Sequence, residues 1–350
     1  MAIFEVAGHW QRATPILPPA GVSSHQQEAG WSVWCRAAGD CALVADLISP
    51  DSQPYGSVAA TATGMLWGRA DLVKLPLTTG FKRDGETYLG QLACTGPGDC
   101  VAPLEYGSSA VAIEDNGRWE KIVTIAPPRG AAANTSSVRT VACASARSCV
   151  AAGGAQVGQR VLPIIAAESN GVWKRAIILP LPEHSAGAWE GSIAAVSCPA
   201  ANNCTAVGNF GDKDGNGYAL LYQETSGVWG GPQILSDPPN ALPIRAAGNP
   251  GRTHILSLAC QSPGNCAVVG QYWREDRDEG AGLVDYEHNG ICEAGRQLAL
   301  PANAGRTGQV PSPIDITATR TGYIAVGEYS TNRQPVTAMI LDLPLASPPN

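Results

Sequence analysis

Short apolar runs alternate with polar, glycine-bearing turns along the whole chain, and the alternation repeats in phase. Five segments share one order: VWCRAAGDCALVA, LACTGPGDCVAP, VACASARSCVAAG, VSCPAANNCTAVG and LACQSPGNCAVVG. In each, an apolar run ends at one cysteine, small and polar residues follow, and a second cysteine opens another apolar run. The pattern predicts a β-hairpin, with strand A running into the first cysteine and strand B leaving the second. Further on comes an apolar run, a polar turn ending in Gly, and Trp two residues later: AIEDNGRW, AAESNGVW and YQETSGVW. TATGMLW is a looser copy, YEHNGIC carries Cys292 in place of Trp, and FEVAGHW near the start supplies Trp10. This signature predicts strands C and D joined by a tight turn. No window sustains a helical period.

The unit recurs about every 56 residues. A sixth copy lacks cysteines: ITATRTGYIAVGEY puts Thr317 and Tyr323 near the cysteine positions and Ala325, Val326 and Gly327 at the small-apolar-glycine step. The chain starts in the middle of a unit and stops in the middle of one. These observations predict an all-β fold, a six-bladed β-propeller with four antiparallel strands per blade, closed by pairing the N- and C-terminal strands in one blade. Residues 1–350 then form one domain, with blade cores near 31–75, 88–126, 138–180, 191–236, 254–300 and 312–343 plus 2–17. In the last blade, Ile314–Tyr329 supplies strands A and B and Trp10–Leu17 supplies strand D. Val336–Leu343 and Ile3–Val6 compete for strand C. A chain of 350 residues normally suggests two or three domains. Blades that pack only on their neighbours escape that expectation.

Composition agrees, because Gly (40) and Pro (27) are abundant while charged residues are 15%. Cys35/Cys41, Cys94/Cys100, Cys143/Cys149, Cys198/Cys204 and Cys260/Cys266 are expected to be disulfides across the A–B hairpins. Each would contribute about 2 kcal/mol in the chain-entropy view. Zinc needs four ligands at one point, and the pairs fall in different blades. Repeated even pairs point to an oxidising compartment, so a secreted or extracellular protein is expected. The first twenty residues show no apolar signal-peptide region, and a cytoplasmic protein with reduced thiols is the alternative. Cys292, standing where a packing Trp is expected, reads as a buried free thiol. No apolar stretch approaches a membrane span. A net charge of −7 and a pI near 5.3 argue against nucleic acid and anionic membranes as partners, and a monomer is expected.

The common catalytic motifs G-x-S-x-G, H-E-x-x-H, C-x-x-C and the P-loop are absent, and no cofactor is expected. Asp212, Asp214 and Asn216 in GDKDGNGY resemble the start of a calcium loop, but Gln223 stands where the bidentate Glu belongs. The same residues make good turn chemistry. Residues that recur in phase hold each blade together, so those that occur once are the candidates for function. Apart from turn residues, no polar position is read as repeating. Trp31 and Trp34 on the innermost strand of blade one, Trp189 before blade four and Trp273 in the B–C loop of blade five fall outside the repeat. His25, His184 and His254 fall in D–A connections. D–A and B–C loops emerge on one face, where Arg252, Glu190 and the run from Arg274 to Asp278 also belong. Unequal loops there predict one composite pocket over the channel mouth rather than a repeated set of sugar contacts.

The C-x₅-C-x-[AV]-V-G and N-G-x-W pattern resembles the repeats of actinobacterial β-propeller proteins, over nearly the whole chain. The Gly-x-Trp turn is similar to the Asp-box of sialidase-like propellers, a structural element that carries over no catalytic residue. The resemblance implies a fold and little chemistry. Two functions are expected from the residues. One is a lyase or hydrolase on a sugar-like or natural-product substrate. His184 or His254 is then the base, with His25 beside them and Glu190 as acid or orienting partner. Trp189, Trp273, Trp31, Arg274 and Arg252 then line the pocket. The other is a non-catalytic module binding a glycan or a protein with the same face.

Overall fold

The computed structural model describes residues 4–6, 9–20, 27–37, 39–48, 54–75, 89–104, 109–132, 135–182, 190–211, 217–242, 253–275, 280–299, 304, 312–330 and 337–345. All regular structure among them is strand, and the fold is an all-β, six-bladed β-propeller built of antiparallel blades. Blade one has Gln27–Ala37, Asp40–Ile48 and Pro54–Thr63 as strands A to C, with Leu66–Trp67 and Asp71–Leu72 as a broken strand D. Blade two follows with Ala93–Gly96, Asp99–Pro103, Ala110–Asp115 and Arg118–Thr124. Blade three starts at Ser136–Ser145 and Ser148–Val157. Blade four has Glu190–Ala200, Asn203–Gly211 and Gly217–Thr225, then Val228–Trp229 and Gln233–Ile234. Blade five has Thr253–Ser262, Asn265–Trp273 and Gly280–His288, then Ile291–Cys292 and Arg296–Gln297.

The two sequence signatures fold as their chemistry requires. All five cysteine pairs are disulfide-bonded: Cys35–Cys41, Cys94–Cys100, Cys143–Cys149, Cys198–Cys204 and Cys260–Cys266. Cys35, Cys94 and Cys260 stand directly opposite Cys41, Cys100 and Cys266 in the A–B ladders. In blade four the ladder register shifts between Ser197 and Ala200, so Cys198 bonds Cys204 across an irregular step. Cys149 and Cys204 are each the second residue of their strand B, and both are buried. In the C–D turns, Asn116–Gly117 and Asn289–Gly290 both have positive φ (53° and 78°, 50° and 82°). That is the turn whose twist matches a hairpin, and Asn-Gly adopts it at least cost. The residue six positions after each Trp (or Cys292) closes strand D onto strand C. Val73, Ile125, Leu179, Leu235 and Leu298 donate their amides to Ser57, Ser109, Pro163, Ala219 and Gly282 at 2.7–3.0 Å.

In blade five, strand C is buried on both faces because it separates two cores. Ala281 and Leu283 pack with Val207, Leu221 and Leu235 of blade four, while Val284 and Tyr286 pack with Ile316, Tyr323 and Ala325 of blade six. In blade two, Cys100, Ala112 and Trp119 pack with Ala42 and Val44 of blade one. A fully buried Leu, Ile or Val contributes about 1.5–3 kcal/mol, so these inter-blade layers are the main source of cohesion.

In the last blade, Thr337–Pro344 takes the strand C position, pairing with Gly322–Tyr329, which pairs in turn with Ser312–Ala318. The competing segment is used differently: Glu5–Val6 pairs with His9–Trp10. The chain beyond runs beside blade one, where Leu17 and Pro18 carbonyls accept from the Ala70 amide and the Arg69 guanidinium. By internal contact the chain divides into two compact units, residues 1–127 with 132–151 and 166–176, and residues 128–131, 152–165 and 177–350. No helix among the described residues is long and apolar enough to cross a membrane.

Candidate functional site

Of the residues singled out for chemistry, the described region holds His254, Trp273 and Arg274 in full. His254 is the second residue of strand A of blade five, not part of a D–A connection, and Trp273 closes strand B rather than sitting in the B–C loop. The ladder extends that far because His254 pairs with Gln271 and Trp273 with Gly280. Side chains opposite each other share a face, as do those two apart on one strand. His254, Gln271 and Trp273 therefore lie on one face of blade five at its rim, with Arg274 next along the chain.

The rim is braced from below. The Leu242 amide donates to the Trp273 carbonyl at 2.9 Å and the Glu275 amide to the Asn240 carbonyl at 3.0 Å. The Tyr272 hydroxyl donates to Asn240 Oδ1 at 2.8 Å, and Thr253 Oγ1 donates to Asp237. These bonds fix the backbone on either side of His254 and Trp273. The His254 ring itself is exposed, yet the protein packed against it desolvates the imidazolium and holds its pKa below 6.5. Its neutral form is therefore favoured at neutral pH. Trp273 and Arg274 are half-buried.

His25, His184, Trp189, Arg252, Asp212, Asp214 and Asn216 lie outside the described residues. Trp31 and Glu190 are placed by their backbones only, in strand A of blades one and four. Trp34 is half-buried and packs on the core shared by blades one and two. Cys292 is the free cysteine among the described residues, half-buried, with its Sγ 3.8 Å from Gln233 Oε1. Burial, and then the nearby Asp285 and Glu287 carboxyls, push its thiol up to about 12, so it holds its proton and is no nucleophile.

The expectation that only turn residues repeat among polar positions is corrected by four buried glutamates. Glu114, Glu168 and Glu224 stand opposite Trp119, Trp173 and Trp229, and Glu287 stands opposite Cys292. Glu5 pairs with Trp10 in the same register. The signal was legible as E-x-x-G-x-W, five residues ahead of the Trp. Next to a polar turn, however, such a Glu reads as solvated. Burial raises the pKa of Glu168 and Glu287 and lifts Glu114 to about 7, where the neighbouring Asp99 charge adds to the effect. One further acid does not repeat. Asp285 is 1% exposed where other blades carry Ala60, Ala112, Ala166 or Tyr222, and burial lifts it to about 7.

No protein-family model matches the chain, and no curated protein sequence does. Solved structures show the fold. A protein of unknown function from Dyadobacter fermentans is 12% identical with a TM-score of 0.51, covering 94% of this chain and 97% of that one. A Trypanosoma rangeli sialidase in complex with sialic acid is 11% identical with a TM-score of 0.47, covering 90% of this chain and 54% of that one. A PL25 polysaccharide lyase, an ulvan lyase, is 10% identical with a TM-score of 0.44, covering 95% and 93%. At these identities the likeness concerns the β-propeller fold alone.

Proposed function

We propose that the protein is a secreted enzyme, a lyase or hydrolase, that engages a sugar-like substrate at the rim of blade five with His254 as general base. The observation that carries this reading is the exposed His254 on the same face as Trp273, with Arg274 next along the chain. Indole covers the apolar face of a pyranose, and a guanidinium matches a carboxylate. On a uronate the base takes the proton from the carbon next to the carboxylate. The bond from the neighbouring carbon to the leaving sugar oxygen then breaks, and that oxygen receives a proton. His184 and Glu190 are the proposed sources of that second proton, and Trp189 and Arg252 the proposed further walls of the pocket. Export is supported by the five disulfides, which persist in oxidising surroundings.

The test is turnover on uronate-containing polysaccharides, followed by the ultraviolet absorbance of the new double bond and by reducing ends. His254→Gln is expected to lower the rate by about 100-fold or more with binding retained, and Trp273→Ala to lose binding. Full activity in His254→Gln removes the catalytic assignment. Binding without product on any substrate replaces the enzyme by a non-catalytic glycan-binding propeller.

A further inference from the structure

The corner where blade two meets blade one holds a cavity of about 350 Å³, far along the chain from the blade-five rim. It exists because blade one is under-filled there. Ala59 faces blade two at the position where other blades carry Val111, Leu221 or Val284. Thr61 stands where blade four carries Gln223, whose amide reaches Glu287 of blade five and the Gly290 carbonyl. Ala42 stands where blade four carries Thr205, the other donor to Glu287. Glu114, the blade-two counterpart of Glu287, thus loses both donors and lines an open space. Trp119 beside it is 8% exposed, and its indole N–H is buried without a partner, as are those of Trp67 and Trp173.

The mouth alternates cation and anion. Arg69, Asp71 and Lys74 come from blade one and Arg118 and Glu120 from blade two. Arg69 is engaged with the Pro18 carbonyl at 2.6 Å and Arg118 meets Glu120 at 3.6 Å, while Lys74 has no ion-pair partner among the described residues. A bare anion would face Asp71 and Glu120, a bare cation would face three bases, and an apolar ligand would strand all of them from water. A hydroxyl both donates and accepts, so a ring bearing several hydroxyls suits alternating donors and acceptors. The volume lies at the small end of the range for organic-ligand sites, which is roughly 300–1,000 Å³.

We infer that this cavity is a second ligand site, for a neutral sugar residue whose hydroxyls engage Glu114, Thr61 and Lys74 while its apolar face meets Ala59. The inference does not depend on the blade-five reading. Methyl glycosides of glucose, galactose, mannose and N-acetylglucosamine are titrated into the full chain, with tryptophan fluorescence and calorimetry as readouts. At least one is expected to bind with a millimolar-range Kd. Ala59→Leu restores the bulk that Leu221 supplies in blade four and is expected to weaken binding about tenfold or more with the melting temperature held or raised. Lys74→Ala, on the exposed rim, tests the same site without touching the core and is expected to weaken binding about threefold to tenfold. Trp273→Ala is expected to leave this binding intact, which separates the cavity from the blade-five rim. Failure of all four glycosides to bind overturns the inference. So does binding that survives both Lys74→Ala and a folded Ala59→Leu.

Discussion

Glu287 and Glu114 occupy the same repeat position, one strand-end before the C–D turn, and meet different neighbours. Glu287 is 2% exposed and accepts from Thr205 Oγ1 at 3.4 Å and from Gln223, whose amide also donates to the Gly290 carbonyl at 2.9 Å. Glu114 is 7% exposed, faces Ala42 and Thr61 instead, and no side-chain hydrogen bond reaches its carboxyl among the described residues. Burial raises the pKa of both, but the two donors counteract the rise at Glu287 while the Asp99 charge adds to it at Glu114. The first corner is a finished inter-blade joint and the second is an open one. A repeat thus keeps a backbone position while the neighbouring blade decides what the side chain there does.

The largest effect should come from breaking the finished joint. Glu287→Ala leaves the Gln223 amide and the Thr205 hydroxyl buried and short of an acceptor, and is expected to cost about 3 kcal/mol of unfolding free energy. Glu114→Ala removes an acid that has no donor to orphan, and at about pH 5, where the acid is still protonated, should stay within about 1 kcal/mol of the parent protein. Urea unfolding of both variants measures the contrast. Equal losses would mean that the two glutamates play the same part and that the missing donors are irrelevant.

A somewhat smaller effect separates the corners by pH. Glu114 is lifted from 4.5 to about 7, so the folded chain holds this proton more tightly than the unfolded chain does. Its protonation contributes stability in full below about pH 4.5, and that contribution is lost as pH rises through about 7. Glu114→Gln keeps the neutral form at every pH. Between about pH 5 and pH 8 it is expected to flatten the fall in unfolding free energy by on the order of 2 kcal/mol. Asp285, lifted from 3.8 to about 7, pulls the same way in blade five and serves as the control acid whose slope survives in Glu114→Gln. A parent protein whose stability rises over this range, or a Gln variant with an unchanged slope, contradicts the burial of Glu114.

The frame of the molecule was legible in the sequence because it is written in local, periodic chemistry. A cysteine spacing that suits a hairpin, an Asn-Gly pair that suits positive φ and an apolar run before each turn all act within one blade. The buried glutamates recur just as faithfully. Their burial, however, is imposed by residues far along the chain, Gln223 and Thr205 for Glu287 at 64 and 82 positions away, and no local pattern reports that. The candidate rim was half legible. Setting the repeat aside picked out His254, Trp273 and Arg274, but their shared face depends on the pairing of His254 with Gln271. A bulge between Ile255 and Ser257 then shifts the frame of strand A, so alternation counted back from Cys260 puts His254 on the wrong face.

The smallest effect is also the most specific, because it turns one corner into the other. Thr61→Gln, combined with Ala42→Thr, gives Glu114 the two donors that Glu287 has, the glutamine entering the cavity that Thr61 lines. Gly117 then offers its carbonyl as Gly290 does for Gln223. The added amide and hydroxyl each make one buried hydrogen bond, so a gain of about 1 kcal/mol is expected, set against the rotamer freedom lost by Gln. Donors to the ionised form also lower a carboxyl pKa, so the Glu114 titration, followed by carboxyl-carbon chemical shift, should move down from about 7. Both readouts should move together. A stability gain with an unmoved titration would mean that the new side chains fill the cavity without reaching Glu114. A lowered pKa with lost stability would mean that the backbone of blade one holds its third strand too far from blade two for the transplanted joint to close.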